Sequence, residues 1–232
     1  MARRRPPDRV QALLGAATQV FSTLGYRRAQ MADVARALGV APGTLYLYAE
    51  SKEALFDLVI RHGLDGGAAA AAGLELPVRT PAPGATLEHL RGAIAAAAQL
   101  PLLSAACKRR RARDVRAELG GVLGELAGSM RRHRWGLLVL ARSALDWPEL
   151  ATVFLGGLRM RVLTALESYL RRRSAAGQLR ALPDPMGAAI FVNETLAFWM
   201  LHRLGDPAYA LLPDAAAEAL AVDMLQAALV RR

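Results

Sequence analysis

Residues 31–56 read MADVARALGVAPGTLYLYAESKEALF, and their spacing decides the fold. Met31, Val34, Ala35 and Leu38 recur at the i, i+3, i+4, i+7 positions of one helical face about two turns long. Gly39 interrupts that face, and glycine is the residue that turns a chain at positive φ without cost. Val40 and Ala41 then lead to Pro42, which favours the first turn of a third helix holding Gly43 to Tyr48. Ser51 can cap a fourth helix, whose apolar face is Ala54, Leu55, Leu58 and Val59. Two short helices joined by a three-to-four-residue glycine turn form a DNA-reading unit when the second helix is exposed.

Working outward, Val10, Leu13, Leu14, Ala17, Val20, Phe21 and Leu24 predict a first helix, with Asp8 as its cap and Gly25 at its end. Residues 1–7 read as a disordered basic arm. Beyond residue 66, Gly66-Gly67, an alanine run and Pro77, Pro81, Pro83 and Gly84 mark a boundary. The expected organisation is a DNA-binding domain over 1–66 and a larger helical domain over 67–232. In the second, helices are expected at roughly 85–106 with a bend at Pro101, 114–131, 132–145, 148–176, 184–204 and from an Asp214 cap to the C-terminus. Leu150, Val153, Phe154, Leu158, Val162, Leu166 and Leu170 are expected to face inward on the helix that Pro148 opens. No stretch alternates as a strand does, so the fold class is all-α.

Of the 232 residues, 53% are hydrophobic, which argues against a disordered chain. The formal net charge of +10 suits a polyanionic partner. It does not locate the contact, because the densest basic run, Lys108 to Arg113, lies mid-chain. That run reads as a solvated connection, or as a holder of an acidic ligand or DNA. With one cysteine, Cys107, an internal disulfide is impossible, and a reducing cytoplasm fits. The apolar run near 93–107 is broken by Gln99 and Pro101, short of membrane-spanning length.

Residues 25–56 closely resemble the DNA-binding signature of the tetracycline-repressor (TetR) family of transcriptional regulators. The matching pieces are Gly25-Tyr26, Val34-Ala35, Gly39-Val40, Gly43-Thr44-Leu45-Tyr46 and Ser51-Lys52-Glu53. The resemblance implies that Thr44 reaches a base edge or phosphate, and that Tyr46 donates to a phosphate. It implies that Tyr48 does so too or packs on sugar, that Leu47 lies on the same exposed part, and that Leu45 fastens the helix from within. Lys52, at a helix N-terminus, is implied to clamp a phosphate. Ala29-Gln30 stands where the family commonly has Ser or Thr, and Gln30 takes over that phosphate contact. Ala41 and Ala49 replace a frequent Ser and Phe, which leaves few polar groups for base reading. Shape readout through Arg27, Arg28 and the arm then gains weight.

More loosely, residues 184–203 resemble the family's dimer helix, implying a four-helix bundle with the 148–176 helix across a two-fold axis. The resemblance further implies a palindromic DNA operator, a homodimer and a small-molecule effector. Candidate lining residues for the effector are Trp135, Leu138, Met160, Asn193, Trp199 and Met200, for each of which core or dimer packing is the alternative. Asn193 and Glu194 are polar in an apolar helix, so one of them is a candidate to orient a ligand.

His62, His89, His133 and His202 are scattered, and no nucleotide-binding or hydrolase motif is present. Neither a cofactor nor an enzyme activity is expected. Cys107 beside Lys108 and Arg109 suggests a lowered thiol pKa or, alternatively, an inert half-buried thiol. The expected function is a cytoplasmic, ligand-released repressor. The rival is an architectural protein that binds DNA by charge without sequence choice.

Overall fold

A computed structural model describes residues 7–64, 74–97, 99–209 and 211–231. The basic arm at 1–6 and most of the glycine- and alanine-rich segment at 65–73 fall outside the described residues, as does the side chain of Asp8. The described chain is helical, and its extended pairing is limited to two isolated bridges, Ala49 with Val78 and Leu179 with Val230. No described helix is long and apolar enough to cross a membrane. The chain divides into two compact units. The first takes residues 1–96 and 133–157, the second 97–132 and 158–232.

In the first unit, α1 (Pro7–Leu24) buries Val10, Leu13, Leu14, Ala17, Val20 and Phe21, the predicted stripe. Next come α2 (Met31–Leu38), α3 (Pro42–Leu45) and α4 (Lys52–Leu64). The apolar pattern predicts one buried face for α4, yet every residue from Ala54 to Ile60 is buried. The reason is that α8 (Arg134–Ser143) returns from far along the chain to pack on α1 and α4. Gly63 and Gly136 form that crossing: a Cβ on Gly63 would lie 2.8 Å from the Cα and N of Gly136, so only two glycines let the backbones approach so closely. Arg142 Nε donates to the Thr23 carbonyl at 2.8 Å, satisfying an end carbonyl of α1. Tyr26 N donates to Ser143 Oγ at 3.1 Å. Asp57, buried inside α4, accepts from Arg61 Nε at 2.7 Å and from Thr86 Oγ1 at 2.9 Å. Thr86 belongs to α5 (Ala85–Ala97).

The second unit comprises α6 (Pro101–Lys108), α7 (Val115–Arg132), α10 (Met160–Ala175), α11 (Pro185–Ala197) and α12 (Asp214–Leu229). Its core includes Leu103, Leu119, Val122, Leu166, Val192, Leu196 and Leu225. Pro101 starts a separate helix rather than bending one. Asp184 caps α11 as predicted, accepting from Met186 N at 3.0 Å. Asp214 does not cap α12: it is the first helical residue, and its carboxylate pairs with Arg203.

From Pro148 to Ala175 the chain is helical throughout, but in three parts: α9 (Pro148–Ala151), eight residues of wide π-helical turns (Thr152–Arg159), and α10. The wide turns move the inward face. Val153, Phe154, Leu166 and Leu170 are buried as expected, whereas Leu158 and Val162 are half-buried and Leu163 and Tyr169 take the core positions. Each i→i+5 turn holds about one residue more than an α turn, which turns Leu158 and Val162 partly off the buried face, while Leu166 and Leu170 remain on it.

Candidate nucleic-acid interface

The turn of the reading head is built from backbone hydrogen bonds. Gly39 has φ 73°, in the left-handed region. Its N–H donates to the Arg36 carbonyl at 3.1 Å, and the Val40 N–H donates to the Ala35 carbonyl at 2.9 Å, a double closure of the end of α2. Ala41 is extended, Pro42 opens α3, and Leu45 is fully buried beneath it. The third helix is shorter than expected. After Leu45 the chain tightens, with Leu47 N donating to the Thr44 carbonyl at 3.2 Å and Tyr48 N to the Leu45 carbonyl at 2.9 Å.

This tightening sorts the predicted contact residues. Tyr46 and Leu47 point outward, 52% and 53% exposed, and Thr44 is half-buried beside them. Tyr48 departs from the expectation. Its ring is 2% exposed, so it packs inside the head, and its hydroxyl sits 3.5 Å from Arg9 Nη1. Tyr48 therefore supports the recognition helix rather than projecting from it. Gln30 is exposed at the start of α2, its backbone N–H held by Asp33 Oδ2 at 3.0 Å. Arg27 is exposed as well, while Arg28 lies 3.7 Å from Asp146.

A strap missed by the sequence reading holds the end of this helix. Val78 N donates to the Tyr48 carbonyl at 2.8 Å, and Glu50 N donates to the Val78 carbonyl at 3.0 Å. Thr80 N donates to Glu50 Oε2 at 2.9 Å, and the Thr80 and Ser51 hydroxyls lie 2.8 Å apart. Ser51 Oγ also accepts from Ala54 N at 3.1 Å, the expected cap of α4. Ala49, fully buried against this strap, has its packing supplied by the 78–80 segment instead of by a larger side chain of its own.

Lys52 is half-buried, and its ammonium lies 4.6 Å from the Tyr26 ring centre and 3.4 Å from the Arg27 carbonyl. A cation over an aromatic face is held by the ring quadrupole. Tyr26 also stacks near Phe56 and Trp147, at 4.7 Å from each. Its hydroxyl donates to Glu53 Oε1 at 2.7 Å, which holds the Glu53 carboxyl below its ordinary pKa, while burial raises the phenol's own pKa. A depressed carboxylate contributes stability that is full above its unfolded pKa and is lost as pH falls through the folded one. Tyr26→Phe should therefore cost about 0.5–1.5 kcal/mol near neutrality. That deficit should shrink once pH drops below the ordinary glutamate value of about 4.3. Denaturant unfolding of both proteins across acid pH measures it.

The effector candidates fall in both units. Trp135, 55% exposed, and Leu138 belong to the first unit, while Met160, Asn193, Trp199 and Met200 belong to the second. Met200 is core, and Met160 is exposed. Asn193 Nδ2 donates to Glu194 Oε1 at 3.0 Å, and Glu194 pairs at the surface with Arg159 at 2.5 Å. A cavity of about 630 Å³ does lie in the second unit, between α6, the 109–114 connection and α7, and none of the six lines it. Cys107 follows the alternative of a half-buried thiol: burial raises its pKa despite the nearby arginines, and Sγ lies 3.5 Å from the Ala165 carbonyl. Among the described residues no group of His, Cys, Asp or Glu is placed to hold a metal.

A fixed three-helix head with an exposed second helix after a glycine turn defines a helix-turn-helix DNA-binding protein. Residues 13–59 match the family model of bacterial regulatory proteins, tetR family. The N-terminal part of the chain thus carries a helix-turn-helix of the tetR regulatory-protein type. The chain is similar in fold to the ketosteroid transcriptional regulator KstR2 of Mycobacterium tuberculosis, at 15% identity and a TM-score of 0.54, over 99% of this chain and 98% of that one. It is also similar to a TetR family regulator from Chloroflexus aurantiacus, at 15% identity and a TM-score of 0.53, over 99% and 96%. The regulator PfmR from Thermus thermophilus is similar at 20% identity and a TM-score of 0.51, over 99% and 100%. No curated protein matches the sequence.

Proposed function

We propose that the protein is a sequence-specific repressor that binds a palindromic operator as a homodimer and is released by a small-molecule ligand. The observation that carries the DNA half is the outward-facing pair Tyr46 and Leu47 above a fully buried Leu45, on a helix fixed at both ends. Tyr46 is placed to donate to a phosphate, and Thr44 and Leu47 to meet base edges, where apolar side chains contact thymine methyl groups. Gln30 and Lys52 flank them at two helix N-termini, and Lys52 leaves the Tyr26 ring when a phosphate arrives.

The dimer half is supported by α11, which buries Val192, Asn193, Leu196 and Ala197 and leaves Ile190, Phe191 and Glu194 exposed, with Phe198 just past its end continuing the stripe. On α10, Met160 and Thr164 are exposed too. Large apolar side chains in a stripe beside a packed helix pair are the ordinary form of a two-fold helical interface.

The test is binding of the wild type and Tyr46→Ala to the DNA upstream of the protein's own gene and to a scrambled control, at low and near-physiological salt. A preference of ~10³-fold or more that is lost in the variant is the expected result. Equal binding of both fragments, fading together as salt rises, would favour the architectural reading.

A further inference from the structure

The 109–114 connection carries arginines on a segment that the fold holds still. Arg173 of α10 is fully buried, and its guanidinium donates to the Ala106 carbonyl at 2.8 Å and to the Arg109 carbonyl at 3.0 Å. Three residues on, the side-chain amide of Gln178 grips both backbone groups of Ala112. Its Oε1 accepts from Ala112 N at 3.0 Å, and its Nε2 donates to the Ala112 carbonyl at 2.8 Å. A solvated connection needs no buried arginine to fix it. Here two side chains fix the backbone at 106, 109 and 112, which sets where Arg109, Arg111 and Arg113 stand.

All three arginines line the 630 Å³ cavity, beside an apolar wall of Leu102, Ala105 and Gly121 with Ala106 and Val122 buried behind it. That volume lies within the range of small-molecule sites. Two carboxylates share the cavity, each engaged through one oxygen, while Glu118 Oε2 has no hydrogen-bond partner. Asp114 accepts from Ala117 N at 3.0 Å at the start of α7, and Glu118 is paired with the buried Arg173 at 2.7 Å. Arg109 reaches Glu118 only at 3.8 Å. The exposed cationic rim is therefore in excess of the acids beside it.

We propose that this cavity binds a single-chain organic anion, with its carboxylate or phosphate head on Arg111 and Arg113 and its apolar chain along Leu102, Ala105 and Gly121. Guanidinium groups match planar carboxylates and phosphates in geometry as well as charge. The site supplies the effector class of the repressor, and that regulatory role rests on the reading above, whereas the binding itself does not.

The experiment is calorimetric titration of the full chain with decanoate, decyl phosphate and decanol, each below its aggregation limit. Decanoate or decyl phosphate should saturate one site per chain, the tighter of the two naming the head group. Decanol should bind at least about tenfold more weakly, and Arg111→Ala/Arg113→Ala should weaken the anions by a similar factor. Both arginines are exposed, so the double variant is expected to fold. Ala117→Trp, an exposed rim position on α7, should block the cavity with both arginines in place. Decanol binding as tightly as decanoate, non-saturable uptake, or anion binding unchanged in either variant would overturn the proposal. Loss of DNA affinity in the arginine variant with anion binding intact would overturn it as well, by assigning the basic run to DNA. Saturable anion binding without operator preference would retain the site and remove the regulator reading.

Discussion

Replacing Arg173 with leucine is expected to lower the unfolding free energy by about 3–5 kcal/mol, the cost of breaking a buried ion pair from one side. The guanidinium is fully buried and donates to Glu118 Oε1 at 2.7 Å as well as to the Ala106 and Arg109 carbonyls. It also lies 5.3 Å from the Tyr169 ring centre. Leucine fills part of the volume but satisfies none of these acceptors. It leaves the Glu118 carboxylate, whose side chain is only 11% exposed, with Arg109 alone at 3.8 Å. Arg173→Leu/Glu118→Leu should recover much of the loss, because no unpaired charge then remains inside. Urea unfolding of the three proteins decides it. A loss under about 1 kcal/mol in the single variant would show that the pair holds little, as surface pairs do.

The second large effect is expected at the exposed stripe of α11. Phe191, 63% exposed, lies with Ile190 and Phe198 on the face left open by α10. A glutamate at 191 puts a carboxylate into the proposed interface opposite its own two-fold copy, where like charges and desolvation both oppose closure. Phe191→Glu should therefore be a folded monomer with an unchanged helical spectrum. Its affinity for a palindromic site should fall by about 10²–10⁴, the advantage lost when two half-sites are no longer bound by one linked pair. Sedimentation together with DNA titration reads both quantities. A variant that remains dimeric would place the interface elsewhere, and a monomer that binds as tightly as wild type would remove the need for a dimer.

What could be read along the chain was what local chemistry decides. Gly39 at φ 73°, Ser51 capping α4, Asp184 capping α11 and proline opening α3 are signals contained within four residues, and the helices begin and end at or beside them. Where a partner from far along the chain decides the outcome, the sequence was silent. Gly63 and Gly136 are ordinary helical glycines until the helices cross. The 78–80 strap rests on one bridge, too short to show alternation. Arg173 stands in a run of three arginines with Arg171 and Arg172, where nothing local marks one of them as inward, and only the fold shows it buried. Tyr48 differs from Tyr46 by two positions in a turn tighter than an α-helix, which is enough to bury one ring and expose the other.

The most direct measurement is selection of bound fragments from the sheared genome by the wild-type protein at near-physiological salt, followed by footprinting of those enriched. Sequence-specific recognition by two symmetric heads predicts one palindromic motif, with two protected half-sites facing the same side of the duplex. Fragments recovered without a shared motif, and protected evenly along their length, would contradict it.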